Sequence, residues 1–382
     1  MAGIYIHIPF CKQACSYCNF HFSASVKRKN ELVEALLDEI ELRQDYLDTR
    51  CVETVYFGGG TPSLLEPREI HALAEKISSV FELDDVAEIT LEANPDDITH
   101  ENLKQWIDSG INRLSIGIQS FFDDDLRWMN RSHDSKQAME SLELAKKCFN
   151  NITIDLIYGS PAMTDEKWKL NIERAIQRDV PHISCYALTV EAKTPLYKMI
   201  RSGMSEDVDP EKQSRQFLLL MDMMSEAGYE HYEISNFAKP AYRSRHNSAY
   251  WSNDATGERI KYLGIGPSAH SFDGMSRQWN VSNNKVYIDS IRRGMAPSEM
   301  EILTPIQQVN EYIMTSLRTL EGLDLEVVKK GHAMDSVLLA SKKFIERGFL
   351  VKQNNHLQLT REGKLLADGI ASELFLSETA GC

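Results

Sequence analysis

Three cysteines fall within eight residues near the start of the chain: Cys11, Cys15 and Cys18, spaced C-x3-C-x2-C. The run Ile4-Tyr5-Ile6-His7-Ile8-Pro9-Phe10 leads straight into them. Four thiolates close a zinc site or fully ligate an iron–sulfur cluster. Three on one short loop hold three irons of a [4Fe–4S] cube and leave the fourth open to a small molecule. A Cys3His zinc site, with His7 or His21 as the fourth ligand, is the competing reading. The usual zinc pattern has a second ligand pair further along the chain, and none appears.

Candidate partners for such a small molecule lie where strands are expected to end, the place where loops of βα barrels carry function. Gly58-Gly59-Gly60-Thr61-Pro62-Ser63 follows Val55-Tyr56-Phe57. Glycines there let backbone approach a ligand and expose carbonyls to an ammonium group. Glu92 ends Glu88-Ile89-Thr90-Leu91, and Gln119 ends Leu114-Ser115-Ile116-Gly117-Ile118. Asp155 stands among apolar neighbours in Ile154–Gly159, where an unpaired acid is costly to bury. Arg131 can clamp a carboxylate by a bidentate contact. Asp123-Asp124-Asp125 reads as a solvated helix N-terminus rather than a metal site, since acids favour that end of the dipole.

The elements that must position these residues follow from periodicity. Strands are predicted at Ile4–Ile8, Thr54–Phe57, Glu88–Leu91, Arg113–Ile118, Ile152–Ile157 and His182–Leu188. Helices are predicted between them at 30–48, 66–80, 99–109, 134–148 and 165–177, then at 211–227 up to Gly228. Six βα units in series predict an α/β fold with a parallel sheet, rolled or open, and helices outside. The stretch 231–300 holds aromatics, Gly and Pro with little helical periodicity. Beyond it, helices at 305–320, 324–331 and 334–347 and a hairpin turning at Asn354-Asn355 form a winged-helix pattern. With 11 acidic and 9 basic residues over 301–382, that module lacks a basic face for DNA.

Composition sets the remaining bounds. A net charge of −14 argues against a dedicated nucleic-acid binder. Seven scattered cysteines in 382 residues point to a reducing compartment. No apolar run approaches a membrane span. The first apolar stretch is only a strand long, too short for an export signal, so a cytoplasmic protein is expected.

The cysteine spacing is similar to that of the radical SAM superfamily, in which an open iron supports reductive cleavage of S-adenosylmethionine (SAM). More narrowly, Tyr5–Cys11, the cysteine loop, Gly58–Pro62, Asn112–Ser115 with Gln119, Asp155–Gly159 and Leu263–His270 resemble the oxygen-independent coproporphyrinogen III oxidases and their relatives. The resemblance covers nearly the whole chain. It implies a partial (β/α)6 radical SAM barrel over 1–230, a connecting segment over 231–300 and a C-terminal helical, winged-helix-like domain over 301–382. It implies SAM contacts at Tyr5, Tyr17, Gly59, Gly60, Thr61, Glu92, Gln119, Arg131 and Asp155, with Ala187 and His270 as further candidates. Within that set we assign Glu92 to the amino group, Arg131 to the carboxylate, and Gln119 and Asp155 to the ribose.

Two departures point to one branch. The oxidases carry a fourth cysteine two residues after the third, where this chain has Phe20, and an N-terminal extension where this chain begins four residues ahead of Tyr5. Both features resemble the HemW-type haem chaperones, as does His246-Asn247-Ser248-Ala249-Tyr250-Trp251, which matches the H-N-x-x-Y-W motif associated with haem in that branch. His246 offers an imidazole for haem iron, and Tyr250 and Trp251 offer flat faces for the macrocycle. The competing reading makes His246 a surface residue and the aromatics core. The resemblance implies a haem carrier that hands haem to an acceptor, such as a membrane-associated respiratory protein, and takes electrons from a flavodoxin or ferredoxin. Peripheral membrane contact follows if the acceptor is a membrane complex. The alternative is a radical SAM oxidoreductase acting as an oxygen-independent coproporphyrinogen III dehydrogenase. No catalytic residue is assigned.

Overall fold

The apolar runs of the first half pair into one curved sheet. Strands β1 (Ala2–Ile8), β2 (Cys51–Gly59), β3 (Glu82–Ala93), β4 (Arg113–Gln119), β5 (Ile152–Tyr158) and β6 (His182–Ala187) lie side by side in chain order, all parallel. Helices α1 (Lys29–Leu42), α2 (Pro67–Val80), α3 (His100–Asp108), α4 (Asp123–Trp128), α5 (Ser135–Ala145) and α6 (Asp165–Gln177) connect them. The computed structural model describes residues 2–253 and 258–377; Cys382 lies outside them.

Local chemistry sets where the helices start. Pro67 opens α2 behind a Glu66–Glu69 capping box, Thr99 caps α3, Asp134 and Gln137 box α5, and Thr164 caps α6. Each cap satisfies amide groups that a helix start leaves without intrahelical partners. Asp123, Asp124 and Asp125 form the first turn of α4, as expected.

The strands alternate strictly. Ile4, Ile6 and Ile8, then Val55 and Phe57, Leu91, Leu114 and Ile116, Ile154 and Leu156, and Ile183 and Cys185 pack against the helices in one buried core. The residues between them, including Tyr5, Tyr56, Glu92, Arg113, Asp155 and Tyr186, turn to the opposite face. That face lines a lumen, because the sheet curls. Beyond β6, Leu196 N donates to the Ser16 carbonyl on the loop after β1, at 2.8 Å. The result is a partial (β/α)6 barrel.

After α7 (Pro195–Arg201) and α8 (Pro210–Glu226), the stretch read as a connection supplies much of the sheet's outer region. The antiparallel pair β7 (Glu230–Glu233) and β8 (Asn236–Ala238) extends the β6 edge. Past α9 (Arg245–Trp251), β9 (Lys261–Ile265) runs parallel beside β1. Then β10 (His270–Phe272), β11 (Ser276–Asn280) and β12 (Ser298–Ile302) continue antiparallel, with α10 (Asn284–Ile291) between the last two. Pairing with β1 and β6 ties 231–300 to the barrel on both edges.

The C-terminal module has its own core of Ile313, Leu317, Leu325, Val337, Phe344, Leu350 and Leu357. It is built from α11 (Pro305–Leu317), β13 (Leu323–Asp324), α12 (Leu325–Lys330), α13 (Met334–Glu346), the hairpin β14 (Leu350–Gln353) and β15 (His356–Leu359), and α14 (Ala367–Glu373). Arg318 joins it to the barrel: Nε donates to Glu233 Oε1 at 3.1 Å, and its carbonyl accepts from Ile234 N.

Candidate functional site

The cysteine loop leaves β1 at Pro9 and is pinned along its length. Cys11 N donates to Ser23 O at 3.1 Å and Ser23 N to Pro9 O at 2.8 Å, folding the loop back on itself. Lys12 pairs with Asp96 and Asp97, Asn130 Nδ2 donates to Ala14 O at 2.7 Å, and Ser16 N donates to Met129 O at 3.1 Å. Cys11, Cys15 and Cys18 are free and half-buried. Burial pushes the Cys11 thiol up to about 11, opposed by the Thr61 hydroxyl and reinforced by Cys18 and Cys15. Three soft donors on one anchored loop are the donor set of a three-thiolate cluster, although among the described residues no three His, Cys, Asp or Glu side chains are gathered to hold a metal ion.

The zinc reading loses His7, whose two ring nitrogens are both bonded, while His21 is held through Nε2 alone. His7 Nε2 bonds the His21 carbonyl at 3.0 Å and Nδ1 the Tyr5 hydroxyl at 3.1 Å, and His21 Nε2 bonds Asn284 Oδ1 at 2.7 Å.

The glycine run serves the loop as much as any ligand. Gly58 and Gly59 form the end of β2, paired with His7 and Ile8. Gly60 lies so close under the loop that a Cβ there would stand 2.6 Å from Phe10 O and 3.0 Å from Cys11 Sγ. Its missing side chain is the seat of the cysteine loop.

The remaining candidates converge beside that seat, Gln119 from the end of β4 and Arg131 from the segment between α4 and α5. Arg131 Nη1 lies 3.4 Å from Cys15 Sγ, and its Nη2 donates to Asn94 Oδ1 and Gly117 O, both at 2.8 Å. Its buried Nε has no hydrogen-bond partner. A buried guanidinium with a spare donor fits the carboxylate assigned to it. Gln119 ends β4 at φ 65°, in the left-handed region that few non-glycine residues adopt, after a bulge that re-aims it. A Cβ on Gly117 would stand 3.1 Å from both Arg131 Nη2 and Gln119 Nε2, so that glycine keeps the two side chains in place. Thr61 is buried and accepts from Asn94 Nδ2 at 3.4 Å. Tyr17 packs beside Met129, Ile157, Leu188 and Leu196.

Two acids face the lumen with no cation in direct contact. Glu92 accepts from the Tyr56 hydroxyl at 2.8 Å and from Gly59 N at 3.1 Å. Burial pushes its carboxyl up to about 8, against the Tyr56 hydrogen bond and with the nearby Asp155 carboxylate adding to the rise. Burial pushes Asp155 up to about 6, opposed by the Arg113 charge. An ammonium arriving here would draw Glu92 into its ionised form, and ribose hydroxyls would meet carboxyl oxygens. Ala187 ends β6 and His270 opens β10 beside Trp279. Asn94, Gly117 and Tyr56, which hold Arg131, Thr61 and Glu92 in place, were missed by motif reading. Their signal is lumen-facing position, which needs the strand register to be known.

The HNxxYW motif lies elsewhere. His246, on α9, closes the N-terminal mouth of the barrel and is 2% exposed. Its Nδ1 bonds Thr54 Oγ1 at 2.8 Å and its Nε2 the Tyr250 hydroxyl at 3.0 Å. Glu88 accepts from Arg245 N at 3.1 Å and from His246 N at 3.0 Å, fixing the start of the helix. Burial drives the imidazole pKa down to about 3, with the Arg113 charge adding to it, so the ring is neutral. With both nitrogens bonded, His246 does not fit an iron ligand in this conformation. The Trp251 ring carries the Arg318 guanidinium at 5.0 Å. The surface position of the competing reading is not present, because His246 is buried, whereas Tyr250 and Trp251 are half-buried.

The Radical SAM superfamily model matches residues 5–175, and the HemN C-terminal domain model matches 303–366. The chain is 34% identical over 377 residues to a Bacillus subtilis protein named "Heme chaperone HemW", covering 97% of this chain and 98% of that one. A Lactococcus lactis protein of the same name is 30% identical over 382 residues, covering 98% and 97%. The solved structure of coproporphyrinogen III oxidase (HemN) from Escherichia coli superposes with a TM-score of 0.84 at 23% identity, over 98% of this chain and 90% of that one, a likeness of fold. By its full-length similarity to these relatives, the chain belongs to the HemW family of radical SAM proteins.

Proposed function

We propose that the protein is a haem chaperone that binds haem and hands it to an acceptor protein, and that it carries one [4Fe–4S] cluster and an exchangeable SAM. The observation that carries the reading is the end-to-end similarity to relatives named haem chaperones. The loop of Cys11, Cys15 and Cys18 would hold the cluster. Tyr5, Tyr17, Gly59, Gly60, Thr61, Glu92, Gln119, Arg131 and Asp155 would hold SAM, with the Arg131 guanidinium at its carboxylate and Glu92 at its ammonium. When bound there, the cluster supplies an electron to SAM. The chain's own part is to orient SAM between Arg131 and Glu92 and to hold the loop over Gly60.

Phe20, 68% exposed where the oxidase branch has a further cysteine, supports the carrier over the oxidase. An acidic electron donor such as a flavodoxin or ferredoxin suits the cavity behind the cysteine loop, where Lys27, Arg28 and Lys285 line the wall with His21 and Ser23. The free exposed thiols of Cys51 and Cys148 suit a reducing, cytoplasmic setting. No helix among the described residues is long and apolar enough to cross a membrane. Contact with a membrane-bound acceptor would then be peripheral.

A second reading, a coproporphyrinogen III dehydrogenase, draws on the lumen itself. Tyr186 is 43% exposed there near Asp155, so the lumen can admit a substrate. An anaerobic haem titration of cluster-reconstituted protein, followed by the Soret band beside His246→Ala, tests the first reading. Saturable one-to-one binding weakened by the mutation supports a carrier that uses this motif. Absence of saturable binding, with a vinyl-bearing product formed from coproporphyrinogen III, SAM and reductant, replaces it with the second.

A further inference from the structure

Glu92 and His246 belong to opposite ends of the lumen, and one side chain touches both. Tyr56, midway along β2, donates its hydroxyl to Glu92 Oε1 at 2.8 Å. Its ring stacks on the His246 imidazole with centroids 4.9 Å apart and planes at 23°. The ring has no free space beside it: a Cβ on Gly58 would meet Tyr56 Cε1 and the Tyr5 ring at 2.8 Å. Tyr56 is itself 8% exposed. A packed side chain of this kind moves between discrete arrangements rather than drifting.

The two partners of Tyr56 are each poised for something else. Glu92 is an acid without a cation, held by two neutral donors, the Tyr56 hydroxyl and Gly59 N. His246 is a neutral imidazole whose nitrogens are taken by Thr54 and Tyr250. A charged donor outcompetes a neutral hydroxyl for a carboxylate oxygen, because charge-assisted hydrogen bonds are about twice as strong.

We propose that Tyr56 links the two ends of the barrel: an ammonium that takes the Glu92 carboxylate frees the Tyr56 hydroxyl, loosens the ring beneath His246 and raises the affinity of the HNxxYW motif for haem. The proposal rests on the reading that Glu92 receives the SAM ammonium and that His246 meets haem. Linkage is reciprocal, so haem must raise SAM affinity by the same factor. Tyr56 acts here as a positioning residue; it touches neither ligand in the argument.

The test is a haem titration of reconstituted protein with its cluster oxidised, so that SAM stays intact, with and without saturating SAM. Native protein is expected to bind haem about 5-fold or more tightly with SAM present, the lower end of ordinary allosteric couplings. Tyr56→Phe keeps the ring and loses the hydroxyl, so it should bind both ligands, checked by dialysis for SAM, with the SAM effect gone. Thr54→Val, which releases the imidazole from its other side, should raise haem affinity without SAM. Haem affinity unchanged or lowered by SAM in the native protein overturns the link, as does a full SAM effect in Tyr56→Phe. If SAM fails to bind, or His246→Ala leaves haem affinity untouched, the functional reading itself falls and the link falls with it.

Discussion

A guanidinium nitrogen of Arg131 lies 3.4 Å from the sulfur of Cys15, so the residue assigned to the SAM carboxylate also touches the cluster loop. The same guanidinium is fixed by Asn94 Oδ1 and Gly117 O, and its Nε is left without a partner. Lysine can place a charge there but not a planar fork. Arg131→Lys is expected to weaken SAM binding by roughly 10- to 150-fold, the equivalent of a charged hydrogen bond of about 1.5–3 kcal/mol. Iron and sulfide content should stay near native, since the three thiols are untouched. Equilibrium dialysis with SAM beside iron analysis separates the two effects, and unchanged SAM affinity would remove Arg131 from the site.

Glu92 gives the ligand-free protein a pH dependence of definite sign. Its carboxyl is pushed from 4.5 up to about 8 by burial. Between those values the folded protein holds a proton that the unfolded chain has lost. Stability therefore falls as pH rises from about 4.5 to about 8 and levels off above it. Glu92→Gln removes that part of the slope and should raise the melting temperature at pH 8 more than at pH 5. In the native protein an ammonium ligand favours the ionised acid, so SAM affinity should climb with pH up to about 8. Parallel melting curves for both proteins at the two pH values check the first claim. A difference independent of pH would mean that Glu92 ionises normally.

How far the chain could be read without coordinates depended on whether a feature was local. The alternation in Ile4-Tyr5-Ile6-His7-Ile8 is written in neighbouring residues, and so are the Pro67 and Thr164 helix starts. Gln119, at the end of β4, was legible because loops after parallel strands meet at one end of a sheet. The outer strands were not. Ser298-Glu-Met-Glu-Ile and Asn236-Phe-Ala carry little strand pattern and are held by the neighbours they pair with. The burial of His246 was not legible for the same reason. Its position depends on Thr54, 192 residues away, and on Glu88, 158 residues away. Glycine 60 was read as room for a ligand, yet its first neighbours are Phe10 and Cys11, brought there by β1–β2 pairing.

That contact makes Gly60→Ala a sharp probe of the cysteine loop. The added methyl would stand 2.6 Å from Phe10 O and 2.9 Å from Phe10 N, both backbone atoms that cannot rotate away. Overpacking of this kind costs about 1–3 kcal/mol. Because Phe10 is buried in the main core, the loop rather than the strand must give way. Gly60→Ala should fold with a lowered melting temperature and incorporate less iron on reconstitution. Gly369→Ala, where φ is not positive and nothing lies within 4 Å, controls for loss of a glycine alone. Full iron content in Gly60→Ala would show that the loop does not rest on this residue.

Arg318 is the last test, because it holds two things at once. It pairs with Glu233, whose side chain is 2% exposed, and it stacks on Trp251 of the HNxxYW motif. Truncation to alanine leaves Glu233 hydrogen-bonded only to the neutral donors Ser235 N and Asn236 Nδ2, with the Lys364 charge the cation that remains nearby. Removing one partner of a buried pair costs about 3–5 kcal/mol. Asp368 is an exposed second partner of Arg318, and its loss adds little. Arg318→Ala should therefore be strongly destabilised. Arg318→Ala combined with Glu233→Gln should recover much of the loss, because the uncompensated charge is gone. The double variant then isolates the second role, with the Trp251 ring uncovered on an intact fold. Haem affinity higher in that variant than in the native protein would show that the C-terminal module covers a haem face. Equal affinity would leave Arg318 a clamp between module and barrel and nothing more.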